Sequence, residues 1–315
     1  METFIIVALF ILGVALTIKG GDYFIDAASW ISEALNIPKF IVGATIVSVA
    51  TTLPELIVSV LAATEGKVDM AVGNAVGSVT VNVGLVMGIS ILCMPIAIKR
   101  SKFAFKGILM ILSCALLFLF SYNGQLGIMP SVLLLAMFCV FVIENIKDSK
   151  RSMLLNIEKK KKFENKEAFV NILKFIFGVL GIVIGARLLV DNGSEIARLL
   201  NVPESIIGAT VIAIGTSLPE LVTTIAALAK KHATLSIGNI VGANIIDLTV
   251  ILPVCTLISG KALPISNQAA SLDLPVCLGV ILIATLPTLM TQKFKRYQGV
   301  LIIFAYLIYL TVLCA

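Results

Sequence analysis

Charged residues are scarce in this sequence, at 13% of 315 residues. A soluble domain typically carries about 25%, so a soluble globular fold is excluded. There is one histidine, His232, in a basic loop, and a histidine proton relay is therefore not expected. The six cysteines lie in or beside apolar runs without CxxC spacing, which favours small buried side chains over a zinc site or a disulfide framework. The N-terminus lacks a basic stretch, so the first apolar run is expected to be a retained helix rather than a signal peptide.

Apolar runs recur along the whole chain, which is 59% hydrophobic and has a mean hydropathy of +1.07. Each run approaches the ~20 residues that cross a bilayer as a helix. The runs lack the alternation of barrel strands, so helices are the remaining way to satisfy every backbone group inside a bilayer. The sequence therefore predicts an all-α polytopic membrane protein. The net charge of +6 is concentrated in short loops, which indicates membrane topology rather than binding to nucleic acid.

The sequence contains an internal duplication. Four motifs of the first half return in the second half at one constant offset of 165 positions, without a gap, and Asp26 returns as Asp191 at the same offset. Such agreement is not expected by chance, so the chain consists of two copies of one unit. The recurring motifs are Asn36–Pro38 with Asn201–Pro203, Gly43–Thr45 with Gly208–Thr210, Thr51–Glu55 with Thr216–Glu220, and Gly73–Gly77 with Gly238–Gly242.

Each copy contains five apolar segments, roughly 3–25, 39–64, 71–95, 105–122 and 127–146 in the first copy. We predict a first five-helix repeat at 1–147, a charged cytoplasmic linker at 148–167 and a second five-helix repeat at 168–315. Positive charge falls in the linker and on its side of the bilayer, which places both termini outside. Because five is odd, the second copy enters the bilayer from the opposite side. The sequence thus predicts ten transmembrane helices as two inverted five-helix repeats, with a site at midplane between them.

Each repeat carries a proline followed by a glutamate inside an apolar span, at Pro54–Glu55 and Pro219–Glu220. Proline removes an amide donor and clashes with the carbonyl four residues back, so each motif predicts a broken helix with freed carbonyls. Thr51 and Thr216 precede the glutamates by four positions and share their helix faces. An intramembrane carboxylate is functional by default. Carboxylates, hydroxyls and free carbonyls are hard oxygen ligands, so the motif predicts a cation site.

The next span of each repeat begins with Gly-Asn-x-x-Gly, whose glycines lie four apart and allow close helix packing. Asn74 and Asn239 in this motif are either ligands or interhelical hydrogen-bond partners, and the second role is favoured. Farther along the same helices, Asn82 and Asp247 are equivalent under the repeat but differ in chemistry. Ser78 lies four residues before Asn82, so both side chains can face the glutamates.

The predicted centre holds three acids, Glu55, Glu220 and Asp247. In a medium of low dielectric constant, desolvation and mutual repulsion prevent all three from staying ionised without cations. One Ca²⁺ leaves one negative charge, so one acid is expected to keep a proton when Ca²⁺ is bound. Three Na⁺ neutralise the set. Charge balance therefore permits exchange of one Ca²⁺ for up to three Na⁺, with protons as further competitors.

The blocks 43–55 and 208–220, each followed by Gly-Asn-x-x-Gly, resemble the two α-repeats of the calcium/cation antiporter superfamily. They are most similar to its prokaryotic sodium/calcium exchanger branch. The resemblance implies an alternating-access antiporter in which the first and sixth helices slide against the other eight. It also implies main-chain carbonyl ligands near Ser48 and Ala213. The side-chain ligands that it implies are Thr51, Thr52, Glu55, Ser78 and Asn82 in the first repeat, and Thr216, Ser217, Glu220 and Asp247 in the second.

One position departs from the family pattern, because Ala243 stands where a serine would match Ser78. The missing hydroxyl leaves Na⁺, K⁺ and H⁺ open as coupling ions. The expected function is antiport of Ca²⁺ for Na⁺ in the plasma membrane. The alternatives are an H⁺- or K⁺-coupled Ca²⁺/cation antiporter and, as a different class, a passive cation channel. An enzyme is not expected, since no nucleophile–base pair stands out, and neither a cofactor nor an obligatory protein partner is implied.

Overall fold

The computed structural model describes residues 2–98, 100–155, 165–200 and 213–314, and nearly all of them lie in helices. Nine helices in these ranges are long and apolar enough to cross a bilayer, and a tenth apolar helix is shorter. The predicted all-α polytopic fold is confirmed. The first-half helices are α1 (Glu2–Ala34), α2 (Lys39–Thr64), α3 (Val68–Cys93), α4 (Arg100–Ser121) and α5 (Ile128–Leu155). The second-half helices are α6 (Asn165–Leu199), the shorter α7 (Leu218–Ala229), α8 (Ala233–Ser259), α9 (Ala269–Thr291) and α10 (Arg296–Cys314).

Several helices extend past the apolar segments that predict them. α1 continues to Ala34, and helix occupies both ends of the predicted linker, because α5 runs to Leu155 and α6 starts at Asn165. Hydropathy marks where a chain leaves the apolar layer rather than where its helix ends, since Lys, Arg and Glu are good helix formers. Two segments that carry predictions lie outside the described residues. They are 156–164, with the basic run Lys159–Lys162, and 201–212, with Asn201–Pro203 and Gly208–Thr210.

The two proline motifs differ in their local structure. Pro54 lies inside the continuous α-helical part of α2, Ser48–Thr64, so the helix break predicted at this proline is wrong. The proline still lacks an amide proton, so the carbonyl four residues back loses its usual donor. In the second repeat a turn at Ser217 separates a single helical turn, Ala213–Thr216, from α7. Pro219 lies in the first turn of α7, where the missing amide proton has no helical partner to lose.

In the part of the chain that the structure describes, four long helices contain a π-helical segment, in which each backbone hydrogen bond joins residues five apart instead of four. These segments matter because π-helical turns are rare and are frequent at functional sites. They are Gly43–Val47 in α2, Asn82–Met87 in α3, Asp247–Ile251 in α8 and Ala269–Asp273 in α9.

Contacts between loops follow the inverted arrangement. Just before α4, Ala97 pairs antiparallel with Lys293, which lies between α9 and α10. Beyond the other end of α4, the short strand β1 (Gln125–Leu126) pairs antiparallel with β2 (Leu263–Pro264), which lies between α8 and α9. A shift of 165 positions relates the loop at Ala97 to the loop that contains β2, and the loop that contains β1 to the loop at Lys293. The two loop pairs are thus equivalent under the repeat, yet they lie at opposite ends of α4. The two repeats are therefore related by inversion, as predicted.

α1 and α6 pack closely through glycines. Gly13 lies against the backbone of Gly185, and Gly20 lies against the backbone of Gly178. The repeat offset relates residue 13 to 178 and residue 20 to 185, a further sign of duplication that the motif comparison missed. Because no side chain separates the two helices at these points, their backbones approach closely. This helix pair is the one for which the family resemblance implies sliding.

α2 and α8 cross at a second pair of glycines. Gly238 lies against the carbonyl group of Phe40, and Gly43 lies against the carbonyl group of Leu235. Any side chain larger than the hydrogen atom of glycine would hold the backbones of α2 and α8 apart at both points. The crossing brings the polar part of α2 against α8. No atom of a described residue lies within 4 Å of a methyl group added at the repeat-related Gly73.

Gly238→Ala is expected to lower the free energy of unfolding by about 1–3 kcal/mol, because the added methyl group overlaps the Phe40 carbonyl, which cannot rotate away. The measurement is the thermal unfolding midpoint of the purified protein in detergent. Gly279→Ala in α9 is the matched control, since no described atom lies within 4 Å of its added methyl group. Equal midpoints for the two variants would contradict the close crossing.

Candidate ion-binding site

Three acidic side chains are buried between the helices that carry the repeated motifs. Glu55 of α2, Glu220 of α7 and Asp247 of α8 are each at most 1% exposed. None of their carboxylate oxygens has a hydrogen-bond donor among the described residues. Glu55 lies within electrostatic range of both other acids. Ionised carboxylates here repel one another and lose hydration without compensation, so this group requires cations or protons.

The helices are irregular where they carry the site. Asp247 is the first residue of the π-helical segment of α8, and its repeat partner Asn82 is the first residue of that of α3. Glu220 lies in the first turn of α7, just after the turn at Ser217. Such irregular turns release side chains and carbonyl groups from regular helical spacing. The repeat therefore places π-helical turns at the equivalent positions Asn82 and Asp247, whereas the turn before Glu220 has no counterpart at Glu55, where α2 is continuous.

A set of neutral side chains shares the burial and the missing partners of the acids. An unpaired hydroxyl or amide in an apolar interior costs about 1–3 kcal/mol, so a concentration of such groups calls for an explanation. The elements that carry them are α2, α3 and the turn just before α7, and α3 packs against both α2 and α7. The atoms without a partner among the described residues are Thr52 Oγ1, Ser78 Oγ, Ser217 Oγ and both side-chain polar atoms of Asn82.

The hydroxyl of Thr51, in contrast, has protein partners. Thr51 Oγ1 lies 3.2 Å from Asn239 Oδ1 of α8 and 3.3 Å from the carbonyl oxygen of Ser48. The side-chain nitrogen of Asn239 donates to Thr223 Oγ1 of α7 at 3.1 Å. A chain of hydrogen bonds thus joins α2, α8 and α7 beside the acids and holds Thr51 in one orientation.

Asn74 has the corresponding role in the first repeat. Its Nδ2 atom donates to the main-chain carbonyl of Glu55 at 3.2 Å and to Ser59 Oγ at 2.8 Å. These bonds join α3 to α2 directly behind the Glu55 side chain. Asn74 and Asn239 are therefore interhelical hydrogen-bond partners, which is the role that the sequence favours.

The remaining predicted ligands lie at the ends of the polar segments. Ser48 is buried, and its hydroxyl donates to the Thr45 carbonyl at 3.1 Å. Thr216 is half-buried at the end of the turn Ala213–Thr216. Ala213 begins this turn, and its side chain is outside the description. Every predicted ligand thus lies on an element of the polar centre.

One buried polar residue of the same helices escaped the sequence interpretation. Asn244 of α8 is 0% exposed, and neither polar atom of its side chain has a partner among the described residues. A signal was available, since an asparagine in the apolar stretch just before Asp247 has no repeat counterpart and position 79 is valine.

The acids do not form a compact carboxylate cluster. In the part of the chain that the structure describes, no group of three or more His, Cys, Asp or Glu side chains is close enough to hold one metal ion. A cation among these helices would therefore take hydroxyl, amide and carbonyl oxygens together with the carboxylates. Such mixed oxygen sets suit hard cations that must also be released.

Inverted helix repeats that bury acids and hydroxyls beside irregular turns define a class of protein, the secondary transporters of cations. Within this class the chain belongs to the sodium/calcium exchanger protein family, whose model matches residues 5–147 and 170–315. It is therefore a membrane antiporter of cations rather than a member of an enzyme family.

Relatives and a solved structure resemble the chain over almost its whole length. It is 28% identical to the sodium/calcium exchanger MaX1 of Methanosarcina acetivorans, over 96% of this chain and 97% of that protein. It is 32% identical to the inner membrane protein YrbG of Escherichia coli, over 97% and 96%. A structure of the sodium-calcium exchanger NCX_Mj, soaked with Na⁺ and Sr²⁺, matches with a TM-score of 0.84 at 28% identity and covers 97% and 98% of the two chains.

Glu220→Gln is expected to leave the ion-free protein at least as stable as the wild type, because it removes one of three buried carboxylates that have no donor. The measurement is the thermal unfolding midpoint in detergent with a chelator and no Na⁺. Glu65→Gln is the matched control, since Glu65 is an exposed partner of Lys67 outside the site. A large fall in the midpoint of Glu220→Gln alone would contradict the unpaired state of this carboxylate.

Proposed function

We propose that the chain exchanges Ca²⁺ for Na⁺ by alternating access at the site that contains Glu55, Glu220 and Asp247. The observation that carries the proposal is a set of buried oxygen atoms that have no partner among the described residues. They lie on α2, α3, α7 and α8 and at Ser217, just before α7. Hard cations favour such oxygens, since they supply the missing interactions and neutralise the charge. The charge balance supports exchange, because one Ca²⁺ leaves one negative charge and three Na⁺ leave none.

In this proposal the two repeats contribute to a shared central ion. Glu55 and Glu220 are related by the repeat and interact electrostatically, so each supplies a carboxylate to the same Ca²⁺. Asp247 takes the proton that remains when Ca²⁺ is bound, and it is ionised when Na⁺ occupies the site. The other proposed ligands are the carbonyls near Ser48 and Ala213, the hydroxyls of Thr51, Thr52, Ser78, Thr216 and Ser217, and the amide of Asn82.

The residue at position 243 bears on the coupling ion. Ala243 is fully buried and presents a methyl group where Ser78 presents a hydroxyl in the first repeat. A methyl group cannot coordinate a cation, so the two sides of the proposed site differ in the number of oxygen ligands. Na⁺ remains the favoured coupling ion because the other hydroxyls are kept. K⁺ and H⁺ are the alternatives that a transport assay separates.

The switching step is assigned to α1 and α6. Both helices meet through glycine contacts along their length, and such contacts lack interlocking side chains that would resist sliding. One end of α1 is tied to the loop between α7 and α8, where Lys230 Nζ lies 2.7 Å from Asp26 Oδ1 and 2.8 Å from the Asp22 carbonyl oxygen. Movement of the pair would break and reform this contact while the site on the other helices keeps its shape.

Proteoliposomes loaded with Na⁺ are expected to accumulate radiolabelled Ca²⁺ when they are diluted into medium without Na⁺. Glu55→Gln is expected to reduce this uptake to background, because a neutral amide cannot hold Ca²⁺ against the coupling ion. The surface variant Glu65→Gln should transport at the wild-type rate.

Imposed gradients of K⁺ or of pH, each without Na⁺, test the alternatives in the same vesicles. Ca²⁺ uptake that ignores the Na⁺ gradient and follows one of these would overturn the Na⁺ part of the proposal. Ca²⁺ flux that persists without any counter-ion gradient and grows linearly with voltage would identify a passive channel instead.

We propose that the protein lies in the plasma membrane with both termini outside and the loop 148–167 in the cytoplasm. The proposal is supported by the concentration of Lys and Arg on the linker side. An epitope fused after Ala315 should bind antibody on intact cells, whereas an epitope inserted within 156–164 should bind only after permeabilisation. The reverse pattern would contradict this orientation.

A further inference from the structure

Asn244 shares the defining property of the proposed ligands. Its amide oxygen and nitrogen are fully buried and have no partner among the described residues. The amide of Asn82 and the carboxylate of Asp247 have the same property. The other neutral side chains with this property outside the predicted set, on α4, α5, α9 and α10, lie on helices that carry none of the proposed ligands. Asn244 alone of these lies on a helix of the site, three residues before Asp247, where positions i and i+3 are neighbours on one helix face.

The packing of α3 and α8 places Asn244 at the depth of Asn82. These are the third and eighth consecutive spans, so they run antiparallel, and they meet where Ser90 Oγ and Ser236 Oγ lie 3.3 Å apart. Asn82 lies eight residues before Ser90, and Asn244 lies eight residues after Ser236. At 1.5 Å per residue both lie ~12 Å from this contact in the same direction. α8 also packs directly against the π-helical segment that Asn82 begins.

The amide of Asn244 has no counterpart in the first repeat. The residue equivalent to Asn244 is Val79, which is buried and apolar, so the first repeat has no amide at this position. The second repeat lacks a hydroxyl at Ala243 and has an amide at the adjacent position. An amide buried without a partner is unfavourable on its own, whereas valine at the same place would carry no such penalty. The asymmetry therefore points to a ligand for the amide.

We propose that Asn244 supplies an amide oxygen, beside Asn82 and Asp247, to the monovalent coupling cation. The inference rests on the proposed function, because it assigns a further ligand to the same exchange site. Two amide oxygens and one carboxylate form a weakly charged set of hard ligands, which suits a monovalent cation better than Ca²⁺. Asn244 is then a residue that determines affinity for the coupling ion and contributes little to the affinity for Ca²⁺.

The test compares Asn244→Val with the wild type by ion-dependent thermal stabilisation in detergent, titrated separately with NaCl, KCl and CaCl₂ against choline chloride. The variant is expected to need at least tenfold more of the monovalent cation that stabilises the wild type, while its Ca²⁺ requirement changes less than twofold. Its ion-free midpoint should be equal or higher, because an unpaired amide is gone.

Asn145→Val is the matched control. Asn145 of α5 is also buried with an unpartnered Oδ1, but its Nδ2 donates to the Phe141 carbonyl at 2.9 Å and it lies on a helix without proposed ligands. This control should leave all three titrations unchanged. If Asn244→Val behaves like the control, or weakens the response to Ca²⁺ as much as that to the monovalent cation, the inference is overturned while the exchange site stands. A wild type that responds to no ion overturns the proposed function and the inference with it.

Discussion

The carboxylates of Glu55, Glu220 and Asp247 lie in apolar helices with no hydrogen-bond donor among the described residues, so their charge must be balanced by something that enters and leaves. A fixed lysine or arginine at the same place would balance the charge permanently and would end transport. The rest of the site follows from this constraint. Several hydroxyls and amides on the same helices also have no partner among the described residues, and a protein donor at each of these positions would compete with the cation.

A site with so many unsatisfied groups is destabilising and must be held by its surroundings. The glycine contact between Gly43 on α2 and the Leu235 carbonyl on α8 brings the two backbones together without side chains. Asn239 then joins α8 to α2, by accepting a hydrogen bond from the Thr51 hydroxyl, and to α7, by donating one to Thr223. Asn74 joins α3 to α2. These bonds lie beside the acids and leave the carboxylate oxygens free. The scaffold around the site is thus rigid, while the site itself is open to exchangeable ligands.

The sequence predicted the duplicated unit, the inversion and the acids, because a bilayer makes polar residues in apolar runs rare and therefore informative. It located helix ends poorly, since hydropathy does not register the helix that continues beyond the apolar segments to Ala34 and Leu155. It placed a break at Pro54, where tertiary packing maintains a continuous helix. The π-helical segment at Asn82 has no local signal in residue type, because it depends on how α3 packs against its neighbours. Residue types reveal which groups are unusual, and only packing reveals which of them have partners.

Inversion makes the scaffold symmetric, but the chemistry at its centre is not. Asn82 corresponds to Asp247, and Ser78 corresponds to Ala243, so the second repeat carries more charge and fewer hydroxyls. A symmetric pair of repeats would allow α1 and α6, in the switching step that we propose, to open the site toward either face by equivalent contacts. A symmetric set of ligands would hold an even number of acids, since each acid would occur twice. The odd acid at Asp247 gives the site a third charge, and in the proposed exchange that charge distinguishes one divalent cation with a proton from three monovalent cations. Under this proposal, exchange of unlike ions depends on a departure from the symmetry that alternating access would use.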